Sequence, residues 1–158
     1  MKRFLKQILL IVVFPIILFL GLFEYTLRSV PNDYTLKDNW MTTNTDVRVL
    51  NLGSSHAYYG IRPQYFSEKA FNLAFTSQSL KYDHFLYYKY VPLCDSLEYI
   101  ILPMSYFTLR QNMDDDAENW RINGYCIYMG CDYYMYDITK NLELASKDKL
   151  NNFFVYFL

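Results

Sequence analysis

A chain of 158 residues has room for one domain of ordinary size beside a short extra element, and none for two. Its 15 basic and 16 acidic side chains leave a formal charge of -1, without the basic excess that neutralises phosphates, so nucleic-acid binding is set aside. Aromatic residues make up 20% of the chain, mostly tyrosine, a composition that suits half-buried strands with a wet hydroxyl end as well as stacking on sugars.

Lys2, Arg3 and Lys6 precede an apolar run from Ile8 to Phe23 that closes at Glu24. The run is about 16 residues, ~24 Å as a helix, so crossing a ~30 Å hydrocarbon core recruits Phe4, Leu5 and Tyr25 while Lys6 snorkels outward. Pro15 is expected to kink this helix. GLFEYTLRS offers no small-residue cleavage site, so residues 1–27 read as an uncleaved membrane anchor rather than a signal peptide. The cationic start places the N-terminus in the cytoplasm and the rest of this single-pass protein outside, in the periplasm or at the cell surface. SVPNDYTLKDNWMTTNT, within residues 28–45, is rich in Asn, Asp and Thr and reads as an exposed tether, with the folded domain over 46–158.

The domain opens on VRVLNL, an apolar β-branched strand that runs straight into GSSH. Ala70 to Ala74 is a second short strand, and Leu80, His84, Tyr87 and Tyr88 recur at helical spacing in the segment after it. Tyr99 to Leu102 is a third strand, stopped by Pro103. Strand, crossover, strand, helix, strand predicts an α/β fold with a right-handed parallel sheet covered on both faces, whose working edge lies at the carboxyl ends of its strands. Asp114 to Asp116 reads as a solvated loop or a helix start, since its spacing fits no EF-hand. Ile138 to Phe154 is expected to be a last helix, and NNFFVYFL is apolar with no polar tail, as though it lay within a packed element. Of the three cysteines, Cys126 and Cys131 flank Gly130 and are expected to pair if the domain is outside, leaving Cys94 over. No histidine lies near that pair and no second Cys pair exists, so neither a metal site nor a cofactor is implied.

A serine directly after a buried strand stands where α/β enzymes hold nucleophiles, although Ser-Ser-His there also reads as a helix cap or turn. LNLGSSH, then FNLAFTSQSL, then YIILPMSYF, resembles the first three blocks of the SGNH hydrolase family, also called GDSL-like. The chain is most similar to the membrane-anchored members of bacterial cell-surface polysaccharide pathways, in which GSS replaces Gly-Asp-Ser. The likeness covers Val47 to about Leu109 and implies a three-layer, flavodoxin-like α/β domain, incomplete at its C-terminus. By position it assigns the nucleophile to Ser55 and the oxyanion donors to Ser77 and to Ser105 or Tyr106, where the family has a glycine and an asparagine.

The family's closing Asp-x-x-His, which supplies the base, has no counterpart; the only histidines are His56 and His84. His56 adjoins the nucleophile and is a candidate base, but neighbours after a strand point apart; His84 reads as a partly exposed residue of a helix face. The resemblance therefore implies an extracytoplasmic, membrane-tethered serine acyltransferase or esterase acting on O-acyl groups of a surface polysaccharide, with a glycan or acyl donor as substrate. The alternative is a non-catalytic glycan-binding or assembly module on the same sheet. An in-frame Asp-x-x-His encoded beyond Leu158 favours the enzyme, whereas the 158-residue chain by itself is expected to be nearly inert toward simple esters.

Overall fold

The structure is a computed structural model that describes residues 2–146. NNFFVYFL, and the second half of the helix expected over Ile138 to Phe154, lie outside the described residues. The first half, which is described, forms two separate 3-10 turns, Ile138–Lys140 and Glu143–Ala145, instead of a continuous helix.

Helix α1 (Lys2–Ile8) runs through a π-helical turn at Leu9–Val13 into α2 (Phe14–Ser29). Proline lacks the N–H for a normal helical bond, and its ring crowds the carbonyl one turn earlier. The wider π turn directly before Pro15 takes up that mismatch. From Lys6 to Ser29 the helix is long and apolar enough to cross a membrane.

Its C-terminal end is fastened to the domain. Leu27 is fully buried, and the Glu24 carboxylate accepts the backbone N–H groups of Glu143 and Leu144, each at 2.9 Å. Arg28 donates to Glu24 at 2.7 Å and to the Asn141 carbonyl at 2.8 Å.

The segment expected to be an exposed tether is helix α3 (Asp33–Thr43), capped by the Asn32 side chain accepting from Thr35 N–H at 3.0 Å. Three side chains carry α3 into the core. Met41 is fully buried, Trp40 stacks on Phe71 with ring centroids 3.9 Å apart, and Tyr34 stacks on Phe75 at 4.5 Å. Gly124, on α6 (Ile122–Met129), admits the Tyr34 ring because it has no side chain: an added Cβ would lie 2.5 Å from Tyr34 Cδ2 and Cζ. The folded part thus begins before Asp46, because α3 buries apolar surface that a tether would leave in water.

The sheet has three parallel strands in the order β2-β1-β3: β1 (Val49–Asn51), β2 (Ala70–Asn72) and β3 (Tyr99–Ile101). Leu50 pairs with Phe71 on one side and Ile100 on the other. Central β1 is buried throughout, as its continuous apolar run requires. On β3, Tyr99 and Ile100 are exposed, so the expected cover on both faces holds for β1 and not for β3.

Helix α5 (Leu80–Tyr90) occupies the expected segment but buries a different face. Tyr82, Asp83, Leu86 and Tyr90 point inward, while His84, Tyr87 and Tyr88 are exposed. Tyr82, Leu86 and Tyr90 join Leu50, Leu52, Leu73, Phe75 and Tyr125 in the core, where each fully buried leucine contributes roughly 1.5–3 kcal/mol.

Cys94, Cys126 and Cys131 are all free thiols, so the expected disulfide is not formed. Gly130 adopts the left-handed conformation that ends α6 and returns the chain toward it, and Cys131 N–H donates to the Tyr125 carbonyl at 3.0 Å. Both thiols are buried, and the neighbouring Cys131 together with burial holds Cys126 protonated. Asp114 is engaged by the Tyr82 hydroxyl at 2.8 Å and by Lys81 at 2.5 Å, so it serves the packing of α5 and is not wholly solvated.

Candidate functional site

The ends of the three strands converge on Gly53. Its carbonyl accepts the Phe75 N–H at 3.2 Å, continuing the β1–β2 ladder past the regular strands, and Leu52 N–H donates to the Ile101 carbonyl at 2.9 Å. Gly53 has φ +117°, and a Cβ there would meet the Ala57 Cβ at 3.2 Å and the Pro103 Cδ at 3.5 Å. Glycine suits the position on two counts, the positive φ and the tight approach of Ala57, while Pro103 lies at ordinary van der Waals distance. Ser55, Ser77 and Ser105 each lie two residues beyond one of these touching positions, Gly53, Phe75 and Pro103. The carboxyl edge of the sheet therefore gathers the three segments that the sequence singles out.

Ser55 opens the short helix α4 (Ser55–Gly60) and is partly exposed; among the described residues its hydroxyl has no hydrogen-bond partner. Ser54 is buried and makes no side-chain cap bond, which sets aside a capping role for its hydroxyl.

Ser77 has φ +60°, the only described non-glycine residue in the left-handed region. Such a conformation costs of order 1–3 kcal/mol unless its surroundings impose it. Two contacts do so: the Ser77 hydroxyl donates to Glu118 at 2.5 Å, and its carbonyl accepts from the Gln111 side chain at 3.3 Å. The Ser77 hydroxyl and Arg121 together hold the Glu118 carboxyl below its usual range. The Ser77 backbone N–H donates to nothing among the described residues.

Ser105 uses its backbone N–H on the Thr108 hydroxyl at 2.8 Å, leaving its own hydroxyl as the available donor. Tyr106 is 93% exposed and extends into solvent, so its hydroxyl does not join the group.

His56 is exposed and lies against the Phe107 ring at 5.4 Å; no hydrogen bond joins it to Ser55. His84 is exposed beside the Tyr88 ring at 4.5 Å. The clefts around Lys37, Arg48 and Arg62 do not include Ser55, Ser77 or Ser105. Among the described residues no cluster of histidine, cysteine and carboxylate side chains is arranged for a metal ion.

Sequence reasoning passed over the support behind this edge. Asp83, only 4% exposed, accepts the Gly53 N–H at 2.8 Å and the Gln78 side-chain amide at 2.5 Å on one oxygen. Gln78 in turn accepts the Tyr125 hydroxyl at 2.8 Å. The second Asp83 oxygen has no partner among the described residues. Burial pushes the Asp83 carboxyl up to about 6, against the opposing pull of its Gln78 and Gly53 bonds. A signal was present: Asp83 falls on the same helical stripe as Leu86 and Tyr90, a carboxylate on an apolar face.

Compared with known proteins, the chain matches no family model, no curated protein and no solved structure.

Proposed function

We propose that this protein is a membrane-tethered serine acyltransferase or esterase of SGNH type, with Ser55 as its nucleophile. Its substrate class is an O-acylated polysaccharide outside the cytoplasm. The observation that carries this reading is the convergence of the three strand exits on Gly53, with Ser77 in the left-handed conformation where the resembled family has glycine. Ser55 Oγ would attack the ester carbonyl, its proton passing through a base to the leaving alcohol. The Ser77 N–H and the Ser105 hydroxyl would receive the developing oxyanion. A glycan hydroxyl or water then takes the acyl group from Ser55. The parallel sheet supports the flavodoxin-like, three-layer reading, and Lys2, Arg3 and Lys6 support a cytoplasmic N-terminus.

One observation favours a second reading. No histidine is bonded to Ser55, which suits a non-catalytic glycan-binding module on the same scaffold. The protein expressed from its gene, with whatever follows Leu158 in frame, separates the two. Turnover of an acyl ester that is lost in Ser55→Ala supports the enzyme, and inertness of that protein supports the module.

A further inference from the structure

The segment leaving α4 forms a braced platform. The Asn72 side-chain amide, at the end of β2, donates to the carbonyls of Ala57 at 3.0 Å, Tyr58 at 3.3 Å and Ile61 at 2.9 Å. Pro63 then starts a 3-10 turn, so the chain from Tyr58 to Phe66 is fixed by bonds and by proline rather than left as a loose loop.

Two clefts open along this platform. One, of about 330 Å³, is lined by Lys37, Tyr58, Tyr59 and Arg62 among others; the second, of about 470 Å³, is lined by Gly60, Ile61, Arg62, Tyr65 and Phe66. They meet at Ile61 and Arg62. Three aromatic rings stand in solvent around that meeting point: Tyr59 at 66%, Tyr65 at 80% and Phe66 at 36% exposure. Exposed rings held on a rigid backbone supply contact area with little ordering cost, and the tyrosines add hydroxyls to it.

The charge at this place is cationic. Arg62 is exposed and, among the described residues, takes no part in the ion pairs, whose arginines are Arg28, Arg48 and Arg121. The Lys37 ammonium donates to the Ala74 carbonyl at 2.6 Å and lies 4.1 Å from the Phe75 ring centroid and 4.7 Å from that of Tyr58. Burial lowers the Lys37 amine to about 8, with Asp33 opposing, so it remains mostly cationic at neutral pH. Asp33, the acidic neighbour on α3, already accepts the Tyr58 hydroxyl at 2.6 Å. Position adds a further point: Tyr58 and Tyr59 follow Ser55 by three and four residues on α4, one helical turn of about 5.4 Å away on the same side.

We propose that the Tyr58–Phe66 platform binds a saccharide bearing a carboxylate or phosphate, with sugar faces on Tyr59 and Tyr65 and the anion on the Arg62 guanidinium. Arginine suits this role because its planar fork takes two oxygens of a carboxylate or phosphate at once. If Ser55 is the acyl-transfer serine, this platform is the acceptor subsite one turn from it; that role rests on the reading above, whereas the binding does not.

The test is calorimetric titration of the full chain in detergent micelles. The probes are an oligosaccharide containing glucuronate, its carboxyl-reduced neutral counterpart, and an oligomer of sugar phosphates. Saturable binding of either anionic probe, at least tenfold tighter than the neutral one and weakened at least tenfold by Arg62→Ala and by Tyr59→Ala, is the expected result. The two anionic arms show which group the site takes. Equal affinity for the neutral probe, indifference to Arg62→Ala, or no saturable binding overturns the proposal. So does Arg62-dependent binding to phosphatidylglycerol vesicles with none to the saccharides. Ser55→Ala should leave binding unchanged. Acyl transfer lost with binding intact therefore points to Ser55, and binding absent from a chain that still acylates Ser55 sinks the platform alone.

Discussion

Asp83→Asn probes the support behind the site. The wild-type carboxyl goes from an ordinary 3.8 in the unfolded chain to about 6 when buried against Gly53 and Gln78. That gap corresponds to roughly 3 kcal/mol. Between pH ~4 and ~6 the folded protein holds a proton that the unfolded chain has released, so this contribution is full below the lower value and is lost as pH rises through the upper one. Asparagine does not titrate. The stability of Asp83→Asn relative to wild type should therefore rise by roughly 2 kcal/mol from pH 4, where part of the contribution is already lost, to pH 7. Asp114 and Glu118, both held below their usual range, titrate alike in the two proteins and cancel in the difference. Denaturant titration of the full chain in micelles, followed by tryptophan fluorescence at both pH values, measures it. A difference constant to within about 0.5 kcal/mol would refute the buried-carboxylate account.

Gly124→Ala drives a methyl into the Tyr34 ring and should cost about 1–3 kcal/mol, a fall of several degrees in the unfolding midpoint; an unchanged midpoint would mean that α3 does not pack on α6. Gly53→Ala forces a side chain to φ +117° against Ala57 and Pro103, and should abolish Ser55-dependent turnover while lowering stability by about 1–3 kcal/mol. N-terminal sequencing of the membrane fraction should find Met1 or Lys2, since no small-residue cleavage site follows the apolar run; a mature start between Gly21 and Asn32 would show a cleaved signal instead.

The strands were legible because β1, β2 and β3 are short β-branched or aromatic runs stopped by glycine, polar residues and proline. What escaped the sequence depends on packing. Helix α3 carries its buried residues among Asp, Lys, Asn and Thr, so its composition resembles a loop, although Asn32 was a readable cap. On α5 the aromatic spacing drew attention to His84, Tyr87 and Tyr88, but tyrosine serves equally in core and solvent, and Tyr82 and Tyr90 go inward. Ser77 was legible as a position and not as a conformation, because its positive φ is imposed by Glu118 and Gln111 from distant parts of the chain. Tyr106 looked like a donor only because nothing in the sequence says that it leaves the edge for solvent.

The direct test of the nucleophile assignment is mass spectrometry of the protein expressed from its gene, quenched in acid during turnover of para-nitrophenyl acetate. An acetyl adduct on the peptide containing Ser55, absent together with turnover in Ser55→Ala, is the expected result. Turnover that persists at full rate in Ser55→Ala, or an adduct confined to another residue, would contradict it.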